Sequence, residues 1–334
     1  MTVSIYDIAK QANVSPSTVS RALNGHPRIG AETTEYIRQL AEEMGYVPST
    51  VAKSLTLSKT WTVGMVMTSI SDPFMATVAE GVEAVASAHG YKVFLSTSPN
   101  HSSQEFTAVR TLQERRVDGV IIISSHLFEQ YSWLFSEMRV PFVLVNEQDK
   151  RQDVPWVAID DTEGAKLAVD HLIDLGHRRI GYIGVTNRPK SNQYRFEGYQ
   201  AALQEAGVSF DEALVCNPEP QGHLQRGEAA LASVVTAGVT AVFCYNDVTA
   251  IGLLSACHKQ GVAVPDDLSV IGFDDIEMAS YTIPPLTTIR QPCFQLGQLA
   301  MGMLLDLING EEPESQLLPV ELVVRNTTRS LQRD

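Results

Sequence analysis

Asn13-Val14-Ser15-Pro16 is the stretch that most limits what the chain can become. The missing amide hydrogen of a proline is harmless at the first position of a helix, so Ser15 caps a helix that begins at Pro16. Asn13 tolerates left-handed backbone and ends an earlier helix, and Val14 fills the corner between the two. Upstream, Ser4-Ile5-Tyr6-Asp7 fits a capping box that starts the first helix, and Ile5, Ile8, Ala9 and Ala12 recur at helical spacing on one face. Val19 and Leu23 turn the second helix toward that face. Ser17, Arg21 and Asn24 fall on the opposite side: short polar groups and one arginine, as a helix lying in a major groove presents to base edges and phosphates. A helical hairpin with a solvated polar face fits the same fragment, and these residues alone leave both readings open.

The residues from Gly30 to Leu57 narrow the choice. Gly30 and Glu32 open a third helix whose Ile37, Leu40, Ala41 and Met44 close a three-helix core, and Gly45 stops it. Pro48 prevents continuation, and Ser49 caps a further helix over 49–57. Isolated helices below about twelve residues are marginal in water, so this one needs a partner. Val51 and Leu55 share a face; with Lys53 beside it, Leu55 of a symmetry-paired segment is placed to wedge between base steps in the minor groove.

Val14-Ser15-Pro16-Ser17-Thr18-Val19-Ser20-Arg21, followed by Tyr46-x-Pro48-Ser49-x-x-Ala52-Lys53-Ser54-Leu55, resembles the lactose/galactose/purine repressor family of bacterial transcription regulators. The likeness extends almost to the C-terminus. It implies that Ser17 and Arg21 lie in the major groove, with Pro16 in place of a common polar residue, that Tyr6, Thr18 and Ser20 lie near phosphates, and that Leu55 enters the minor groove. Gly30 stands where the family usually has a serine cap, and Thr34 where a basic residue is frequent.

Charge follows the same division. The whole chain of 334 residues carries a net charge of −14, yet the residues through Thr60 hold six Lys/Arg against five acids, so the acidity belongs to the remainder. A weakly basic reading head predicts modest non-specific affinity for DNA and reliance on pairing for tight binding. The four cysteines are far apart and the eight histidines scattered, which speaks against a metal site or a disulfide framework. No apolar run approaches the roughly 18 residues of a membrane span, and no export signal is visible, so a cytoplasmic protein is expected.

From Trp61 onward, apolar runs of strand length alternate with helical stripes, an α/β pattern of parallel sheets with helices on both faces. Expected strands include Thr62 to Thr68, Gly119 to Ser124, Phe142 to Asn146, Ala241 to Tyr245, Val270 to Phe273 and a final one from Leu317 to Val324. The resemblance implies a bilobed, periplasmic-binding-protein-like body of two parallel-sheet subdomains, crossed three times by the chain. The expected division is a helix-turn-helix domain with hinge helix over 1–60 and an effector-binding and dimerisation domain over 61–334. Its N-lobe takes about 61–160 and 291–318, and its C-lobe about 161–290 and 319–330.

Parallel sheets bind ligands beyond the carboxyl ends of their strands. Those ends carry Asp72 and Phe74, Asp160-Asp161, Tyr245-Asn246-Asp247 and Asp274-Asp275, with Arg195 after another strand: carboxylates, an amide, an arginine and aromatics, which suit a polyol. An aspartate at a strand-to-helix turn also fits a helix cap, and for Asp160, Asp161 and Asp275 that alternative stays open. By resemblance, Asp72, Phe74, Asp160, Arg195, Asn246 and Asp274 contact an effector, and the galactose-repressor branch favours a hexose or glycoside. Where many relatives place an aromatic platform this chain has Gly222, so stacking falls to Phe74, Tyr194 or Tyr281.

No G-x-G-x-x-G follows a strand and no P-loop or G-x-S-x-G occurs, so catalysis, a metal and a cofactor are not expected. The expectation is a homodimeric repressor on a near-palindromic DNA operator, released by a sugar inducer; the alternatives are a corepressor such as a purine or other metabolite, and a sugar-binding protein without DNA function. The chain shows no terminal leucine heptads of the kind that make some relatives tetramers.

Overall fold

The computed structural model describes residues 3–46, 59–98, 102–123, 140–147, 154–186, 189–219 and 222–331. The expected hinge helix, with Ser49, Lys53 and Leu55, lies outside these residues. The chain divides into two compact units, Met1–Thr60 and Trp61–Asp334.

The first unit is three helices, α1 (Ile5–Ala12), α2 (Pro16–Leu23) and α3 (Ala31–Glu43). At the start of α1 the Asp7 carboxylate accepts from the Ser4 hydroxyl at 2.7 Å and the Ser4 amide at 2.9 Å. These bonds hold its pKa below the ordinary carboxylate value. Asn13 adopts φ 53°, the left-handed turn its residue type allows, and Ser15 Oγ accepts from the Thr18 amide at 3.1 Å. Ile8, Ala9, Val19, Ala22, Ile37, Leu40 and Ala41 form the buried centre. Gly30 begins α3 without a side-chain cap.

The second unit holds two parallel sheets. In chain order its first half runs β1 (Thr62–Met67), α4 (Pro73–Ala88), β2 (Lys92–Thr97), α5 (Ser102–Glu114), β3 (Gly119–Ile123), β4 (Phe142–Val145), β5 (Trp156–Ile159) and α6 (Asp161–Asp174). The second half runs β6 (Ile180–Ile183), α7 (Pro189–Glu205), β7 (Val215–Cys216), α8 (His223–Thr236), β8 (Ala241–Cys244), α9 (Asp247–Gln260), β9 (Ser269–Ile271), β10 (Thr288–Arg290), α10 (Cys293–Ile308), β11 (Gln316–Leu318) and β12 (Glu321–Val323). One sheet has the order β11-β5-β4-β3-β1-β2 and the other β7-β6-β8-β9, while β10 and β12 pair antiparallel. The chain therefore leaves the first sheet after β5, returns through α10 to β11, and leaves again for β12.

Strands β3 and β4 are buried along their whole length, as covered parallel strands are, which explains their unbroken apolar sequence. The expected single strand from Leu317 to Val324 is instead two, in different sheets. Pro319 falls between them and has no amide hydrogen to continue a ladder. Helices α8 and α9 approach so closely that a Cβ on Gly227 would lie 2.0 Å from the Thr249 carbonyl oxygen, and one on Gly252 2.0 Å from that of Leu224. This contact fixes the starts of both helices, where His223 and Asn246 sit.

Candidate functional site

In the first unit, α2 carries its polar face outward. Ser17, Arg21 and Asn24 are exposed, Pro16, Thr18 and Ser20 half-buried, and Tyr6 on α1 is 69% exposed. The Ser15 hydroxyl lies 2.7 Å from that of Ser17 and 2.8 Å from that of Thr18, so the start of α2 is a cluster of hydroxyls. Asn24 folds back, its Nδ2 donating to the Ser20 carbonyl at 2.8 Å. The Arg21 side chain makes no hydrogen bond or ion pair among the described residues, so its guanidinium stays open to an anionic partner. Hydroxyls at a positive helix end beside an unpaired arginine offer the chemistry that phosphates and base edges require.

The second unit holds a small, partly open cleft at the carboxyl ends of the strands of both sheets. Of the six residues expected there, Asp72, Phe74, Arg195, Asn246 and Asp274 line it. Asp160 does not. Its Oδ1 accepts from the Glu163 amide at 2.9 Å and caps α6, so the helix-cap alternative describes it. The next residue, Asp161, 6% exposed, does not line the cleft either, but accepts from Arg195 Nε at 2.7 Å behind it.

Arg195 is the hub. Its Nη1 donates to the Tyr245 carbonyl at 2.6 Å and lies 3.8 Å from Asp274 Oδ1. Its guanidinium carbon stands 3.7 Å from the Phe273 ring centroid and 4.6 Å from that of Tyr245. Burial works against the Arg195 charge, and Asp161 and Asp274 overcome it, raising its pKa above the ordinary guanidinium value. Burial likewise raises Asp161, and carries Asp274 well above the carboxylate range with repulsion from Asp247 and Asp72 added; Arg195 opposes both shifts. Asp274 also sits at φ 119° and Asp275 at φ 56°, left-handed positions held by the Asp274 amide on the Ile289 carbonyl and by ion pairs from Asp275 to Arg290 and Arg325, each at 2.6 Å.

The sequence reading missed Met75, Asn146, His223 and Gln291 as lining residues, and named Tyr245 only as part of its strand end. Asn146 and Gln291 directly follow β4 and β10, so the strand-end rule could have found them. His223 opens a helix and carried no such signal. Its ring lies nearly parallel to that of Tyr245, 10° apart in plane with centroids 6.2 Å apart, which supplies a stacked wall beside Gly222. Of the rings proposed for stacking, Phe74 lines the cleft, whereas Tyr281 is 71% exposed and outside it. Gln291 Nε2 donates to Asp274 Oδ1 at 2.6 Å, while Gln291 Oε1 and Asn146 Oδ1 are buried without a hydrogen-bond partner among the described residues. Two unmet acceptors in one cleft mark a place where a ligand's donors complete the structure. Among the described residues no cluster of His, Cys, Asp and Glu could hold a metal ion.

Comparison with known proteins agrees with both parts. Residues 4–49 match the family of bacterial regulatory proteins, lacI family, and residues 169–328 match a periplasmic binding protein-like domain. The chain is 34% identical over 329 residues to the HTH-type transcriptional repressor CytR of Escherichia coli (strain K12), covering 97% of this chain and 96% of that one. It is 32% identical to catabolite control protein A of Priestia megaterium, covering 98% and 100%. Among solved structures it is similar to the lac repressor dimer bound to operator and the anti-inducer ONPF, with TM-score 0.86 and 28% identity over 98% of this chain and 100% of that one. A complex of the transcriptional regulator CelR with cellobiose gives TM-score 0.73 and 29% identity over 97% and 99%. The chain belongs to the lacI family of bacterial regulatory proteins: it is a DNA-binding transcriptional repressor controlled by a small-molecule effector, and not an enzyme.

Proposed function

We propose that this repressor works in the cytoplasm as a homodimer that grips a near-palindromic operator with two α2 helices and lets go when a sugar or glycoside fills the cleft. Ser17 and Arg21 read the major groove, Tyr6, Thr18 and Ser20 hold phosphates, and Leu55 of the hinge segment enters the minor groove. The observation that carries the ligand half is the cluster of Arg195, Asp274 and Gln291, with acceptors left unmet at Gln291 and Asn146. Pyranose hydroxyls supply the missing donors, and their apolar face fits Phe74 and Tyr245.

Apolar surface supports pairing. Strand β2 is an edge strand with Phe94 46% and Leu95 48% exposed, and Met278, Tyr281 and Ile283 stand 59%, 71% and 96% exposed on one segment. A second copy covers such surface, and the half-buried stripe of Val248, Ile251 and Ser255 on α9 extends it. The proposed division of the body, about 61–160 and 291–318 against 161–290 and 319–330, follows the two parallel sheets. No described helix is long and apolar enough to cross a membrane.

DNA fragments selected from a random pool by the full-length protein test the reading: affinity falls by an order of magnitude or more when the ligand found in a thermal-shift screen of sugars and glycosides is added. Tighter binding on addition identifies a corepressor instead. No preferred sequence under any condition removes the repressor mechanism.

A further inference from the structure

The lining of the cleft constrains the charge of its occupant. Arg195 is the only lysine or arginine lining it among the described residues, and its charge is already matched: Nε is bonded to Asp161 at 2.7 Å and Nη1 lies 3.8 Å from Asp274. The other cation close by, Lys190, is paired with the buried Glu147. Two carboxylates, Asp72 and Asp274, line the cleft itself. Two buried acceptors of the lining, Gln291 Oε1 and Asn146 Oδ1, have no hydrogen-bond partner among the described residues. Gln291 is 4% exposed, and the bond from its Nε2 to Asp274 leaves the oxygen as the end awaiting a donor.

We propose that the cleft selects an uncharged, hydroxyl-rich molecule that donates hydrogen bonds to Gln291 and Asn146, and that it rejects the phosphorylated or carboxylated form of the same molecule. A phosphate ester adds a charge near −2 and only acceptor oxygens. Beside Asp72 the phosphate group meets like charge, and wherever it replaces a hydroxyl it brings no donor to an orphaned oxygen. The inference rests on the cleft being the effector site and adds the sign of charge and the direction of hydrogen bonding.

Titration calorimetry on the full-length protein tests it with matched probes: D-ribose against ribose 5-phosphate, D-glucose against glucose 6-phosphate, and cellobiose against its 6-phosphate. In at least one pair the neutral sugar binds, and its phosphate binds weaker by roughly a hundredfold, the factor expected of an uncompensated like-charge contact. Asp72→Asn keeps a side chain able to cap α4 and narrows the gap at least severalfold; Asp72→Ser is a second cap-preserving variant that does the same. A phosphate that binds as tightly as its parent sugar overturns the proposal. So does a gap unchanged in both variants, or a panel in which no neutral sugar binds. DNA binding by the same preparations, read by fluorescence anisotropy, separates this from the wider reading: loss of specific DNA binding alongside the expected ligand pattern would sink the repressor mechanism and leave the charge rule standing.

Discussion

The reading head and the cleft use their polar side chains in opposite ways. On α2 the groups that matter are exposed, drawn from one short stretch, and in the case of Arg21 without a partner among the described residues. In the cleft they are drawn from positions 72 to 291, Arg195, Asn246, Asp274 and Gln291 are buried, and Arg195 ties Asp161, the Tyr245 carbonyl and Asp274 together. A surface that reads a large anionic polymer can leave its donors in water until the partner arrives. A pocket for a small molecule must hold its charges ready without water, so it pairs them internally. Function and folding therefore separate cleanly in the head and are entangled in the cleft.

The largest expected effect is accordingly in the cleft. Arg195→Met leaves Asp161 and Asp274 buried without their counter-charge, and removing one partner of such a cluster costs about 3–5 kcal/mol. Urea unfolding at neutral pH measures the loss, and lowering the pH recovers part of it as the carboxylates take protons. This changes what an Arg195 substitution can teach, because a lost ligand response comes together with lost stability. A variant as stable as the parent would show that the cluster is not the internal pairing described here.

Next comes the pH dependence of the body. Asp247, fully buried, accepts from Thr288 Oγ1 at 2.5 Å and from the Ile276 amide at 2.9 Å, yet burial outweighs these bonds and pushes its pKa up to about 7. The folded chain then holds a proton that the unfolded chain releases near 3.8. Stability falls as pH rises from about 4 to 7 and levels off above, by a few kcal/mol at most, since each tenfold difference in proton affinity between the two states is worth about 1.4 kcal/mol. Asp161 and Asp274 are raised as well and add in the same direction. Melting temperature against pH, compared between the parent and Asp247→Asn, tests it: the slope flattens in the variant. An unchanged slope would assign the dependence to the other two. The head contributes the reverse sign, since Asp7 is held below the carboxylate value and its share is lost as acid protonates it.

The same contrast explains how far the sequence alone could be read. The head was legible almost residue by residue, because Ser15, Pro16, Asn13 and the apolar spacing act within a few positions of one another, and local chemistry decides the geometry. The alternation of strand and helix was legible for the same reason, and with it the strand ends that supply Asp72, Asn246 and Asp274. Which of two neighbouring aspartates turns inward was not. Asp160 and Asp161 differ by one step of backbone, and only the position of Arg195, 34 residues further on, decides that Asp161 is the buried partner. His223 was hidden because its place depends on how closely α8 and α9 approach through Gly227 and Gly252, a tertiary fact with no local trace.

In the head, Arg21→Ala should leave unfolding within about 0.5 kcal/mol of the parent, as surface substitutions do. Affinity for the selected operator falls by about 1–3 kcal/mol, and discrimination relaxes at the base pair it reads. Anisotropy against the operator and a scrambled duplex separates base reading from phosphate contact: an equal loss on both duplexes would make Arg21 a backbone contact. Comparable stability loss and binding loss would erase the distinction between the two regions.

The smallest effect probes the cap that both regions share. Ser15 Oγ accepts from the Thr18 amide at 3.1 Å, and Asn246 Oδ1 accepts from the Thr249 amide at 3.0 Å, so the two residues perform the same local task at the starts of α2 and α9. Replacing either with alanine costs about 1 kcal/mol. Asn246 is 4% exposed and lines the cleft, and its Oδ1 also accepts from Thr249 Oγ1 at 2.8 Å. Asn246→Ala therefore orphans a buried hydroxyl and weakens sugar binding together with stability. Ser15→Ala, in an exposed cluster where water replaces the lost bonds, lowers the stability of the head and leaves ligand affinity untouched. Hydrogen exchange locates each loss to its own helix. If Ser15→Ala shifted ligand affinity as much as Asn246→Ala does, the head would share in the cleft's energetics, and an exposed cap would have to be counted among the groups that set the effector response.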